Sequence, residues 1–303
     1  MHATRRSKER LEHRVINVMN KNASSFLLCL ALLLASVTLL AQSEPPRLIV
    51  RGDDMGFSHA GNVALIKSYR EGIETSIEVI VPSPWFPEAV KLLEANPNVD
   101  VGIHLALTSE WDNVKYRPVS HCPSLTDENG YFYPMIWPNK NYPGQALREH
   151  KYDLGEIENE LRAQIELALK RIPRVSHVSG HMGCTNLSPE VAAITSKLAR
   201  EYKIDIDLSA MGVKAVSYDG PKETAAEKIS SFIKMLEGLQ AGQTYLFVDH
   251  PGIDTPELRA IHHIGYDQVA VDRQGVTDAW TDAGVKAAVK RLGIKLISYA
   301  DLK

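Results

Sequence analysis

Cysteine is scarce, with 3 residues in a chain of 303. Cys29 falls in an N-terminal apolar stretch, and Cys122 and Cys184 alone make no disulfide framework. Their separation leaves a bond between them open. Neither sign of charge dominates, with Lys+Arg 34 against Asp+Glu 37, so no general polyanion-binding surface is implied. There is no HExxH or CxxC, which removes the local zinc signatures, and no GxSxG, which removes the nucleophile elbow. There is no GxGxxG or Walker sequence, which disfavours nucleotide-cofactor chemistry. Nothing repeats at a solenoid period. What is present is apolar material, 44% of residues, enough for a sizeable core.

Long apolar runs are also few, and the longest lies at the N-terminus. Arg5, Arg6, Lys8, Arg10, Arg14 and Lys21 precede Phe26 to Leu40, and Ala41-Gln42-Ser43 follow. A basic region, an apolar segment of that length and a small residue at its end describe a secretory signal; a membrane span needs about 20 apolar residues. Met19 offers a second start, and Leu39 departs from the usual cleavage pattern, so an uncleaved anchor is the other reading. We expect residues 1–43 to be signal and extension, residues 44–303 to form one domain, and the product to be periplasmic or extracellular.

From Leu48 onward, strands and helices alternate. Leu48-Ile49-Val50 is an apolar run ending at Gly52-Asp53-Asp54-Met55-Gly56. Helical spacing follows over Gly61 to Glu71, then a strand over Ile77 to Val81, a helix over Pro87 to Asn96, and a strand over Val99 to Leu107 carrying His104. Residues 109–150 break the rhythm with Trp111, Tyr116, Tyr131, Phe132, Tyr133, Trp137 and Tyr142. Those aromatics suit either stacking on sugar rings or covering a core edge. Leu154 to Arg171 is helical, and Val175 to Val178 leads as a strand into Gly180-His181-Met182-Gly183. Ser188 caps a helix with Pro189 at its first position. Ile204 to Leu208 alternates as a strand, residues 209–223 read as irregular, and Ala225 to Leu239 is helical. Thr244 to Val248 is a strand ending at Asp249-His250-Pro251-Gly252. A polar segment with Asp272 and Arg273 precedes a helix over Asp282 to Leu292 and a strand over Lys295 to Ser298. Seven strands in this order predict an α/β fold: a single-domain distorted (β/α) barrel, incomplete and TIM-like, with an open doubly wound sheet as the alternative.

Four strand ends carry polar groups: Asp53 and Asp54, His104, His181, and His250. In a parallel barrel such ends converge on one face. One carboxylate and two imidazoles suit a divalent transition metal, with the remaining acid free to act as a general base. A single strand-end histidine is more commonly structural, so the argument rests on convergence. A glycosidase fits less well, because acids adjacent on a strand are expected to point to opposite sides.

The order of short motifs resembles the YdjC-like carbohydrate deacetylase family. They are Arg51-Gly-Asp-Asp-Met-Gly-Phe57, Glu71-Gly-Ile-Glu-Thr-Ser76, Val101-Gly-Ile-His-Leu-Ala-Leu-Thr108, Pro123 to Phe132, His250-Pro-Gly252 and Gly293 to Leu302. The resemblance implies a distorted barrel and metal-dependent removal of an N-acetyl group from an amino sugar. It implies Asp54, His104 and His181 as ligands of one divalent ion, Zn or Mg, Asp53 as catalytic base, and His250 as acid or oxyanion partner. Trp111, Met182 and Arg273 are expected to contact substrate. No nucleic-acid partner is expected, and a homodimer is compatible with the sequence. One departure stands out: Ser179-Gly-His-Met-Gly183 occupies the place where the family reads Asp-x-His-Gln-His, and Ser179 and Gly183 leave the substrate open. A sugar-binding protein without catalysis, and a metal hydrolase of another amide or ester, are the alternatives.

Overall fold

The computed structural model describes residues 44–303; the expected export signal lies outside the described residues. Chain order is β1 Arg47–Met55, α1 His59–Glu71, β2 Ser76–Val79, α2 Phe86–Glu94, β3 Asp100–Leu105, α3 Leu154–Arg171, β4 His177–Gly180 and α4 Pro189–Glu201. It continues with β5 Lys214–Val216, α5 Ala225–Glu237, β6 Thr244–Asp249, α6 Pro256–Arg259, α7 Val269–Thr281, α8 Ala283–Arg291 and β7 Lys295–Leu296.

The helices begin where capping chemistry allows. The Ser58 side chain accepts from Gly61 N at the start of α1, Asp153 from Glu156 N at α3, and Ser188 from Val191 N at α4. Thr224 and Glu227 form a reciprocal capping box on α5. Each such cap contributes about 1 kcal/mol.

All strand pairs of the sheet are parallel, in the order β4-β3-β2-β1-β6-β5, with β7 also on β1. β6 occupies one edge of β1 from Arg47 to Gly52. β7 pairs at Arg47 and Leu48, and β2 from Arg51 onward, so the two share the other edge end to end. Read around, the order 5-6-1-2-3-4 is the cyclic order of a barrel cut between β4 and β5. A doubly wound sheet would instead ascend on the far side of β1. The expected incomplete barrel is therefore the architecture found.

β1 is buried on both faces, as a central parallel strand must be. Leu48 and Val50 pack with Phe232, Phe247 and Trp280, while Ile49, on the opposite side, meets Ile297 and Tyr299. Each such side chain contributes about 1.5–3 kcal/mol through burial. Among the described residues no helix is long and apolar enough to cross a membrane.

Two elements differ from expectation. Residues 204–208 form no strand; the fifth strand is β5, inside the stretch read as irregular. The alternation at 204–208 has another cause: Ile206 and Leu208 pack against the Ile49, Ile297 and Tyr299 cluster without joining the sheet. The polar segment after His250 contains α7, which buries Arg273, Val276, Thr277 and Trp280.

Candidate metal centre

β1 and β6 stay in register to Gly52 opposite Asp249, so their C-terminal ends emerge side by side. On the other edge, pairing with β2 slips between Gly52 and Met55. Asp53 and Asp54 sit in that slip, and Asp54 has φ +71°, a left-handed conformation costing a non-glycine residue about 1–3 kcal/mol. The irregularity corrects the expectation that adjacent acids face apart. Asp53 Oδ2 and Asp54 Oδ1 lie 3.7 and 3.6 Å from the same atom, His104 Nε2.

β3 delivers His104 and the end of β4 delivers His181. Asp54, His104 and His181 are buried and offer one atom each within 4.8 Å of one another. His181 turns Nδ1 to Asp54 Oδ1 at 3.2 Å and Nε2 to Glu110 Oε2 at 2.9 Å. His104 turns Nδ1 to Ser179 Oγ at 2.7 Å. Asp54 Oδ1 is buried and has no hydrogen bond of good geometry, its nearest neighbour being His181 Nδ1. A buried carboxylate oxygen so poorly satisfied, facing two imidazole nitrogens, is what a divalent ion would satisfy. One acid and two imidazoles, each imidazole anchored through its other nitrogen, fit such an ion.

The electrostatics agree with a cation site. Burial would raise Asp54, but His250, Arg273 and His181 outweigh it and hold its carboxyl well below the usual range. Burial pushes His104 down. It works against charge on His181 too, but there Glu110 and Asp54 outweigh it and raise the ring to about 10.

Asp53 is clasped by Arg51, whose Nε and NH2 donate to its two oxygens at 2.8 and 2.9 Å. Each oxygen keeps a second lone pair. His250 Nε2 lies 3.8 Å from Asp54 Oδ2, and its Nδ1 lies 3.5 Å from Asp249 Oδ1. Desolvation lowers His250, but Asp54 and Asp249 prevail and its pKa is raised. Its side chain is 39% exposed, unlike the three candidate ligands, so it can reach substrate.

The three residues expected to contact substrate are placed differently from one another. Arg273 is buried: NH2 donates to Asp54 Oδ2 at 2.8 Å, and its guanidinium lies over the Phe57 and Trp111 rings. Trp111 is 1% exposed and stacks on Phe57, so in this structure its ring is core and offers no face to a sugar. Tyr116, Phe132 and Tyr142 are buried as well, and this part of the 109–150 segment covers a core edge. Met182 is exposed, with φ +49°. The exposed tryptophan of the segment is Trp137, whose Nε1 would lie 3.8 Å from a Cβ on Gly183. Glu110 and Glu78 went unnoticed in the sequence. Glu110 sits in a loop with no pattern to mark it. Glu78 interrupts the apolar run Ile77-Glu78-Val79-Ile80-Val81, and a lone acid in a strand buried on both faces is a signal.

A cut parallel barrel with an Asp-His-His cluster at its strand ends defines an α/β protein with a candidate metal centre. The YdjC-like protein family profile matches residues 47–291, and the chain belongs to that family. It is similar to a carbohydrate deacetylase of Listeria welshimeri, 31% identical over 265 residues, covering 84% of this chain and all of that protein. A carbohydrate deacetylase of Thermus thermophilus is 32% identical over 236 residues, covering 71% of this chain and 80% of that one. Among solved structures, one from Enterococcus faecalis, described as a candidate cellobiose-phosphate cleavage protein, superimposes with a TM-score of 0.67 at 24% identity, covering 86% of this chain and 99% of that one. It supports the fold.

Proposed function

We propose that this chain is an exported, divalent-metal-dependent hydrolase that removes the acetyl group from an N-acetylated amino sugar or oligosaccharide. The observation that carries the reading is the convergence of Asp54, His104 and His181, with Asp53 and His250 beside them. Relatives named carbohydrate deacetylases support the substrate class, and the basic and apolar N-terminal residues support export.

Asp54 Oδ1, His104 Nε2 and His181 Nδ1 would hold the ion. When bound, it supplies positive charge that polarises the acetamide carbonyl and makes water more acidic. Two imidazoles lean toward zinc, and magnesium remains compatible with the carboxylate. Asp53 takes the proton from water as its oxygen bonds to the carbonyl carbon. His250, held by Asp249, gives a proton to the sugar nitrogen as the C–N bond breaks. Acetate and a free amine result.

Acetate release from N-acetylglucosamine oligomers by the purified protein tests this. Chelation and Asp53→Asn should each abolish release. Activity that survives His104→Ala combined with His181→Ala would falsify the mechanism, and sugar binding without product would favour the non-catalytic alternative. Release from other amides or esters alone would move the substrate class. N-terminal sequencing of mature protein recovered outside the cytoplasm tests export.

A further inference from the structure

The registers of β2, β3 and β4 line up two rows across the sheet. Glu78 lies opposite Gly102, and Gly102 opposite His177; two residues on, His104 lies opposite Ser179. Residues two apart on a strand share a face, so Glu78, His177, His104 and Ser179 meet on one side. Gly102 makes room for this, because a Cβ there would overlap both the Glu78 carboxylate and His177 Nε2. Across the gap, Glu78 uses both oxygens. His177 Nε2 hydrogen-bonds Oε1, and the Ser179 hydroxyl donates to Oε2.

A hydroxyl carries one hydrogen. With that hydrogen committed to Glu78, Ser179 Oγ can only accept from His104 Nδ1, 2.7 Å away. The proton of a neutral His104 is thereby fixed on Nδ1. The lone pair is left on Nε2, the nitrogen that faces Asp53 and Asp54. Glu78 is fully buried, where a carboxylate is costly unless every oxygen is used. His177 accounts for one oxygen, and the other is spent on the route to His104. Burial would raise Glu78, but His177 and Arg51 outweigh it and hold the carboxyl at about 2, in its accepting form.

We propose that Glu78 is a positioning residue of the metal centre, acting on His104 through the Ser179 hydroxyl. The proposal rests on the reading of Asp54, His104 and His181 as metal ligands. In it, Ser179 relays a carboxylate to the ligand ring, and Glu78 with Ser179 sets the tautomer and tilt of His104.

The test is a double-mutant cycle read as Zn2+ affinity, by competition with a chromophoric chelator, with thermal midpoints of the metal-free proteins measured alongside. Ser179→Ala should weaken Zn2+ binding about 10- to 100-fold, the usual loss for a group behind a ligand histidine. Glu78→Gln should weaken it about tenfold in the parent and less than about twofold in the Ser179→Ala background, because the route is already cut. His177→Gln removes the other partner of Glu78; it should lower the midpoint and leave Zn2+ affinity within about threefold. Ser179→Asp with Glu78→Gln gives His104 a carboxylate directly and should restore affinity to within about threefold of the parent. Ser179→Ala removes a single oxygen and keeps the test open should Glu78→Gln not fold. Unchanged affinity in Ser179→Ala, or additive losses around the cycle, overturns the relay while leaving the metal centre standing. Parent protein that takes up no Zn2+ overturns the centre itself and the relay with it.

Discussion

Metal uptake by this site should expel a proton, and the structure says which one. In the metal-free protein Asp54 is held well below the usual carboxylate range and His104 is pushed down, so Asp54 is ionised and His104 neutral, with no proton on the Nε2 that faces the site. His181 does: burial opposes its charge, but Glu110 and Asp54 hold it at about 10. Its Nε2 faces Glu110 and its Nδ1 faces Asp54 Oδ1, so the proton an ion displaces is the one on Nδ1. Competition costs about 1.4 kcal/mol per pH unit below that value, or ~4 kcal/mol at pH 7. Zn2+ affinity should therefore rise about tenfold per unit between pH 6 and 9. Titration calorimetry in buffers of different ionisation enthalpy should count about one proton released per ion at pH 7.5. His250 is also raised and lies 3.8 Å from Asp54 Oδ2, so a bound ion should lower it. His250→Gln should leave the His181 proton. Glu110→Gln takes away the largest influence raising His181 and should lower the count. The same proton affects stability. Because the folded pKa is raised, its contribution is full below about pH 6.5 and is lost as pH climbs through about 10, up to ~5 kcal/mol in the metal-free protein. The zinc-loaded protein should not show that loss. Affinity flat from pH 6 to 9, or less than about 0.2 proton released in the parent, would refute the charge assignment.

Three further outcomes follow from single side chains. Asp53→Asn should cut turnover by about 10²- to 10⁴-fold while Zn2+ affinity stays within about threefold, as expected of a base that is not a ligand; parallel loss of both would make Asp53 a ligand instead. Glu74 is buried with both carboxyl oxygens unpartnered, and burial, then Asp53, raise its pKa well above normal. It stabilises the fold least where its charged form would be demanded, since stability present below about pH 4.5 is lost as pH rises through the raised value. Glu74→Met should accordingly raise the denaturation midpoint by an amount equal to ~1–3 kcal/mol at pH 8, with the gain shrinking toward pH 4, and a gain independent of pH would contradict the assignment. Trp137 is exposed beside Gly183; Trp137→Ala should raise KM for a chito-oligosaccharide about tenfold with kcat within about twofold, the pattern of a purely binding contact. Equal loss in kcat would place it nearer the chemistry.

The groups that make the centre were legible because each sits where an apolar strand ends. Leu48-Ile49-Val50 announces a buried strand, and the acids after Gly52 mark its mouth; His104, His181 and His250 repeat that arrangement on three other strands. Periodicity reports burial, and it failed where burial and pairing part company. Residues 204–208 alternate as a strand does, yet Ile206 and Leu208 pack half-buried against the cluster of Ile49, Ile297 and Tyr299 without joining the sheet. Arg273 failed from the other direction. In the sequence it reads as a substrate contact in a polar segment, whereas α7 carries it under Phe57 and Trp111 to Asp54, and only the tertiary structure shows that this aspartate is there to receive it.

Ser179 shows how far motif reading extends. Against the family pattern it is a lost acid, and from sequence that loss leaves the substrate open. Its neighbour across the sheet cannot be read from the motif. Glu78 is 101 positions away, and the two meet because β3 runs between their strands with a glycine at the crossing point. A carboxylate therefore stands behind His104 after all, one hydroxyl further back. The replacement at 179 is then not by itself a sign of an inactive site. Gly183 is a different case: nothing takes over its missing side chain, and the space beside it is bordered by Trp137. Of the two departures, the one at 179 is answered within the metal centre. The one at 183 lies beside the exposed Trp137, and under the proposed function that is where a change of substrate should be sought.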